Sequence, residues 1–318
     1  MANFFDRVAN FFTELPLPHA AFQLAARYVS GIHLSPKERK LKHRFIFPLR
    51  GGALEPSFDK KNIKDSFTIE ERIKEGARKL HLSKAAIACL IPEVCFKVFV
   101  FSFDSLPRSL KEREEIVRWR VKKQMPSLPD DARFSFQVTK ENKKEKVLVS
   151  LARASVIQEY EDLLRKLHFR VKAIGVPTLS LFNVLSWEKG NDLLLSNIEE
   201  DSLSLMAIID SEIVLYRSKP FVLDPHSPLS ASERIEHVAK EVANTINFIE
   251  DKEKKKINSL LLRLGFFEQE GDLFAALREK LTLPLAQIES PLTADLHLKE
   301  RQILSPLIGE ILWQNQKD

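Results

Sequence analysis

The sequence predicts an α/β protein in two halves, with a small unit inserted into the first. Two observations carry this: strand-like and helix-like segments alternate along most of the chain, and residues 96–175 run in the order β-α-β-β-α-β, the split βαβ pattern. The chain has 318 residues, of which 44% are hydrophobic and 22 are Phe. That is enough for a sizeable core and excludes wholesale disorder.

The elements follow in order. Phe4, Phe5, Val8, Phe11 and Phe12 share one helical face, and Pro16 and Pro18 end that helix. Docking on the body, a membrane surface and a partner are all open for it. Residues 22–34 read as strand, bend and strand. Arg50-Gly51-Gly52 opens a turn-rich loop with no Lys or Thr after its glycines, so it is not a phosphate loop. Thr68-Ile69-Glu70-Glu71 reads as a capping box for a helix to about Leu80, and residues 85–92 as a buried strand. In the inserted unit, 96–103 is a strand and Ser109 to Glu112 caps a helix reaching Gln124. Residues 133–138 and 147–152 are strands around a charged tip, Ser155 to Gln158 caps a second helix, and 169–174 closes the unit. Pro177 begins a helix to about Trp187. Strands at 193–195, 203–209 and 213–216 precede a long helix capped by Ser230 to Glu233. A strand at 257–264, a helix at 273–281, a strand at 285–288 and a helix at 302–313 complete the chain.

Composition excludes several functions. Lys and Arg number 49 against 44 Asp and Glu, a mild surplus of +5 with mixed-sign clusters, so nucleic acid is not an expected partner. Two cysteines, Cys89 and Cys95, make no disulfide framework or four-Cys zinc site and read as reduced core thiols. The histidines form no His-Glu-x-x-His pair, and there is no Gly-x-Ser-x-Gly elbow. No metal site and no catalytic residue is expected; Asp201, Asp210 and Asp224 are the kind of trio any α/β chain offers. No apolar run approaches a bilayer span, and residues 1–14 lack a signal-peptide pattern, which together predict a cytoplasmic protein.

Several segments resemble the type IV pilus assembly protein PilM family, actin-like relatives of the cell-division protein FtsA. They are Leu106-Pro107 with Glu114 to Trp119 and Met125-Pro126, then Phe134 to Val138, Ala152-Arg153 with Val156, Tyr160, Leu163 and Leu164, and Leu304 to Gly309. The resemblance implies an actin-like (ribonuclease H-like) two-lobed fold. The first lobe would be 19–95, 176–190 and 299–318, the insert 96–175, the second lobe 191–298, and the N-terminal amphipathic helix 1–18.

Against that pattern the phosphate-binding tips are altered. Where the family pattern has Asp-Ile-Gly and a hydroxyl, the first tip offers Gln23 and Ala25, and the second offers Asn197 in the aspartate place, Glu199 in the glycine place and Ser202. The adenosine turn keeps one glycine, Gly265, followed by Phe266 and Phe267. Glycine lets backbone amides reach phosphate, and a carboxylate about 4 Å from a phosphate charge costs on the order of 4 kcal/mol at an effective dielectric near 20. Glu199, Glu200 and Asp201 are therefore expected to repel a nucleotide. The expectation is a degenerate cleft without cofactor, ATP and magnesium being the alternative.

The resemblance further implies a non-catalytic scaffold of the pilus inner-membrane complex, not an enzyme. Its partners would be the cytoplasmic tail of a PilN-like single-pass protein and other pilus machinery, and it would sit at the inner face of the inner membrane. The tail is expected between the insert and the first lobe, with Trp119, Lys122 and Met125 as contacts, since Trp and Arg-rich faces anchor such interfaces. An active actin-like ATPase and a GspL-like type II secretion component are the alternatives.

Overall fold

A computed structural model describes residues 18–35, 40–141, 144–185, 192–221, 229–265 and 270–315. The expected N-terminal helix and the Phe266-Phe267 pair lie outside these residues.

Two five-stranded sheets share one topology. The first contains β1 (Ala20–Leu24), β2 (Tyr28–Leu34), β3 (Leu41–Pro48), β4 (Ala86–Leu90) and β8 (Arg170–Gly175), in the order β3-β2-β1-β4-β8. The second contains β9 (Leu193–Ile198), β10 (Ser202–Ile209), β11 (Glu212–Pro220), β12 (Ser259–Leu264) and β13 (Leu285–Gln287), in the order β11-β10-β9-β12-β13. In each, the first three strands are antiparallel and the next two join in parallel. The runs in β9 and β10 are buried on both faces, which is why they read as continuous rather than alternating apolar segments.

Helices complete two cores. Helix α1 (Ser66–Lys79) lends Ile69 and Ile73, and α3 (Ala154–Lys166) lends Tyr160 and Leu164, to the core under the first sheet. The final helix α7 (Leu298–Asn315) returns to that sheet's other face through Leu304, Leu307, Ile308 and Ile311. Helices α5 (Ala231–Glu253) and α6 (Glu270–Lys280) cover the second sheet through residues such as Val238, Val242 and Leu273. The short α4 (Pro177–Leu181) starts on its proline and packs on α7. A Cβ at Gly309 of α7 would overlap the Ser180 carbonyl of α4, so only glycine permits this approach.

The inserted sheet has three strands in the order β5-β7-β6: β5 (Lys97–Phe103), β6 (Ala132–Glu141) and β7 (Lys144–Arg153). Helix α2 (Leu110–Gln124) packs Val117 and Val121 onto it. The expected β-α-β-β-α-β order is present along the chain. Its last two elements carry it back into the first lobe, where α3 joins the core and β8 pairs with β4.

Details of capping differ from the sequence reading. Helix α1 starts earlier, at Ser66, because Asp65 accepts from the Thr68 amide at 3.0 Å. Ser109 caps α2 without a side-chain bond. At α3 the Ser155 amide and hydroxyl both reach Asp131, at 3.2 and 2.9 Å, so a carboxylate from the turn before β6 does the capping. The Ser230–Glu233 capping box of α5 is formed as expected. Strand β3, too polar on its outer face to stand out, is an element the sequence reading lacks.

Candidate functional site: a filled cleft and two grooves

The strand turns β1–β2 and β9–β10 point toward each other between the lobes, and the end of β12 lies beside them. Arg263 of β12 sits among them, fully buried. Its Nε donates to the Gln302 carbonyl at 2.7 Å, Nη1 to Asn197 Oδ1 at 3.0 Å and to the Glu199 carboxylate, and Nη2 to Tyr28 Oη at 2.9 Å. Tyr28 in turn donates to Glu199 at 2.7 Å and accepts from Gln23 Nε2 at 3.1 Å. Burial opposes the Arg263 charge, but Glu199 and Tyr28 together outweigh it and raise the pKa. Burial likewise raises the Tyr28 hydroxyl.

The Gln302 carbonyl is free to serve Arg263 for a local reason. Four residues on stands Pro306, which has no N–H to donate back along α7. The carbonyl takes Arg263 Nε and Ser305 Oγ instead, the latter at 2.9 Å.

Asn197 links this cluster to a second one. Its Nδ2 donates to Thr178 Oγ1 at 2.9 Å and to Glu93 Oε1 at 3.3 Å. Glu93 also receives the Thr178 amide at 2.5 Å, the Thr178 hydroxyl at 2.6 Å and the Tyr216 hydroxyl. Burial pushes the Glu93 pKa up, and these hydrogen bonds pull against the rise. A continuous polar network thus crosses from β2 and α4 of the first lobe to β9, β11 and β12 of the second.

Of the residues expected in the cleft, Gln23, Asn197, Glu199 and Gly265 are brought together. Ala25 closes the β1–β2 turn through its amide to the Tyr28 carbonyl, and the Ser202 hydroxyl turns to Asp201 at 3.1 Å. Two of the three carboxylates expected to repel a nucleotide are paired: Glu199 with Arg263, and Glu200 with Arg27 at 2.6 Å across the two turns. Burial, with repulsion from Glu199 and Glu200, pushes the remaining one, Asp201, up to about 7. Side chains fill the space where the resemblance implies a phosphate cradle. A Cβ placed on Gly265 would overlap the Glu199 carboxylate and the Arg263 guanidinium, so the backbone that should approach phosphate is covered by side chains.

Arg263, Tyr28, Glu93, Thr178 and Tyr216 were not singled out by sequence reasoning. One signal was available: Arg263 interrupts the apolar run of β12, and a charge there requires a buried partner. The aspartate trio is not assembled, since Asp210 lies at the far end of β10 paired with Lys255, and Asp224 is outside the described residues. Among the described residues no group of His, Cys, Asp and Glu suits a metal ion.

Trp119, Lys122 and Met125 do not line the groove between the insert and the first lobe. Trp119 is 58% exposed, with Lys123 Nζ over its ring at 4.7 Å, and Met125 packs into the insert's own core. That groove, a cavity of about 210 Å³, lies between β6 and β8, with Phe96, Phe134, Ile157, Val171 and Ile174 among its walls. Among the described residues both strands end their sheets, so each presents an edge there.

No family profile and no curated protein matches the sequence. Solved structures do. A chain of a PilM–PilN type IV pilus biogenesis complex superposes with a TM-score of 0.74 at 16% identity, covering 95% of this chain and 98% of that one. The fold is actin-like. A Bacteroides thetaiotaomicron protein with an actin-like ATPase fold matches over 93% of this chain and 97% of its own, with a TM-score of 0.51 at 11% identity. The cytoplasmic domain of EpsL, an inner-membrane component of the Vibrio cholerae type II secretion system, gives 0.52 at 10% identity over 91% and 94%. The expected two-lobed architecture is therefore present. No helix among the described residues is long and apolar enough to cross a membrane.

Proposed function

We propose that this chain is a non-catalytic scaffold of a type IV pilus assembly complex, held at the inner face of the inner membrane by the cytoplasmic tail of a PilN-like protein. The observation that carries the reading is the Arg263–Glu199 pair, which occupies the place where an actin-like ATPase would hold phosphate. Binding of partners is then the work left to the fold. The β6–β8 groove supplies the means: an extended tail adds main-chain hydrogen bonds to an open edge and sets alternate side chains against Phe96, Phe134 and Ile174. Likeness to the PilM–PilN complex supports PilN chemistry for the tail. Trp119 and Lys122 are left as a separate exposed face for other pilus machinery.

Two measurements on the full chain test this. Calorimetry with magnesium-ATP is expected to show no heat of binding up to millimolar nucleotide. A PilN-type tail from the same genome, fused to a carrier, is expected to co-elute with the chain, and Phe134→Asp is expected to abolish co-elution. Micromolar ATP binding, or no capture of the tail, overturns the reading.

A further inference from the structure

The inserted sheet has a second open edge, β5, and beside it lies a larger cavity of about 970 Å³. Its opposite wall is β11, the edge strand of the second lobe. Three alternate residues of β11, Tyr216, Ser218 and Pro220, line it, facing Lys97, Val98 and Phe99 of β5. Lys146 of β7, the strand paired with β5, ties the inserted sheet to Glu212 of β11, 3.1 Å apart with both side chains more than four-fifths buried. In an antiparallel edge strand, alternate residues turn their N–H and C=O groups away from the sheet. β11 and β5 touch directly over part of their length, and beyond that contact Tyr216, Ser218 and Pro220 border the concavity.

The charge of this cavity is lopsided. Arg27, Lys60, Lys61, Lys64, Lys97 and Arg234 line it, against Glu55, Glu200 and Asp201. Arg27 is paired with Glu200 at 2.6 Å and Lys64 with Glu55 at 3.6 Å. Lys60, Lys61, Lys97 and Arg234 have no carboxylate in ion-pair reach among the described residues. Lys97 is held over the Phe58 ring at 5.2 Å, with its charge still free.

The lysines stand on a fixed loop. Asn62, fully buried, accepts from the Ser57 amide at 2.8 Å and donates to the Ser57 and Lys60 carbonyls at 3.0 and 2.7 Å. Its own amide donates to Glu159 of α3 at 2.8 Å. Lys60 and Lys61 are thus presented by a preorganised turn, which lowers the ordering cost of binding.

We propose that this cavity docks an extended acidic segment of a partner protein, added as a strand along β11, with its carboxylates on Lys60, Lys61 and Lys97 and its apolar residues toward Phe58 and Val98. From Tyr216 to Pro220 is about 13 Å of strand, which takes a segment of about five or six residues. An apolar floor between two strand edges favours peptide over nucleic acid. Phe96 is the one wall shared with the β6–β8 groove, and the insert otherwise offers a different edge to each lobe.

The test pans a displayed library of twelve-residue peptides on the full chain and measures the selected peptides by fluorescence anisotropy and hydrogen exchange. The expected peptides alternate acidic and apolar residues and slow exchange over residues 212–220. They lose about tenfold or more in affinity on the K60E/K61E/K97E variant. The three lysines are exposed, so the variant is expected to keep the parent's circular dichroism. Selected peptides without acidic residues, equal binding to the variant, protection at β6 and β8 instead, or displacement by a twelve-residue oligothymidylate would each overturn the proposal.

Discussion

Replacing Arg263 by alanine is the sharpest perturbation the structure offers. The guanidinium serves five acceptors: Glu199, Asn197, Tyr28 and the carbonyls of Gln302 and Ile303. Removing it strands the Glu199 carboxylate beneath two lobes and leaves a void. Breaking one member of a buried pair costs about 3–5 kcal/mol. Gln302 keeps its bond from Ser305, and Glu199 keeps Tyr28, so the middle of that range, about 4 kcal/mol, is expected. Against a typical stability of about 5–15 kcal/mol this is a large fraction. Urea unfolding followed by far-ultraviolet circular dichroism reads it as a lowered midpoint. Glu199→Gln, which removes the charge and keeps an acceptor, is expected to cost less. The R263M/E199M double variant is expected to recover at least about 2 kcal/mol relative to the sum of the R263M and E199M single losses, the signature of direct coupling. A loss below about 1 kcal/mol for R263A, or additive single effects, would refute the view that this pair ties the lobes together.

Asp201 gives a pH test: one of its oxygens is buried without a partner, and burial raises its carboxyl to about 7. The folded protein therefore binds this proton more tightly than the unfolded chain, whose aspartates titrate near 3.9. Stability contributed here is full below about pH 4 and falls as pH rises toward 7. Asp201→Asn is expected to flatten that slope and to raise the urea midpoint at pH 8. Cys89 and Cys95 are fully buried, and burial raises both thiols, Cys95 to about 12. Neither is expected to react with a thiol reagent at pH 8 until the protein is unfolded by urea. Gly309→Ala is expected to cost about 1–3 kcal/mol, because its new methyl group meets the backbone of Ser180 rather than a movable side chain; thermal unfolding reads it directly.

The alternation of strands and helices was legible because the second lobe's strands are apolar runs and its long helix carries a full capping box. Strand β3 was not, since Lys42 and Arg44 fill its exposed side and His43 interrupts the apolar pattern of the other. The cleft was legible as altered but not as filled. Asn197 and Glu199 stand visibly where an aspartate and a glycine belong, yet the residue that answers them is distant in sequence, and only the fold brings Arg263 beside Tyr28. Partner contacts were least legible. A tryptophan amid basic residues on a helix does not say which way it faces, and the phase of Val117 and Val121 turns Trp119 to solvent.

Pro306 gives the final helix an unusual dependence. An alanine there would ordinarily strengthen a helix, but here it would return a donor to the Gln302 carbonyl and set it in competition with Arg263. The defect in one ladder is thus the socket for the other lobe's cation.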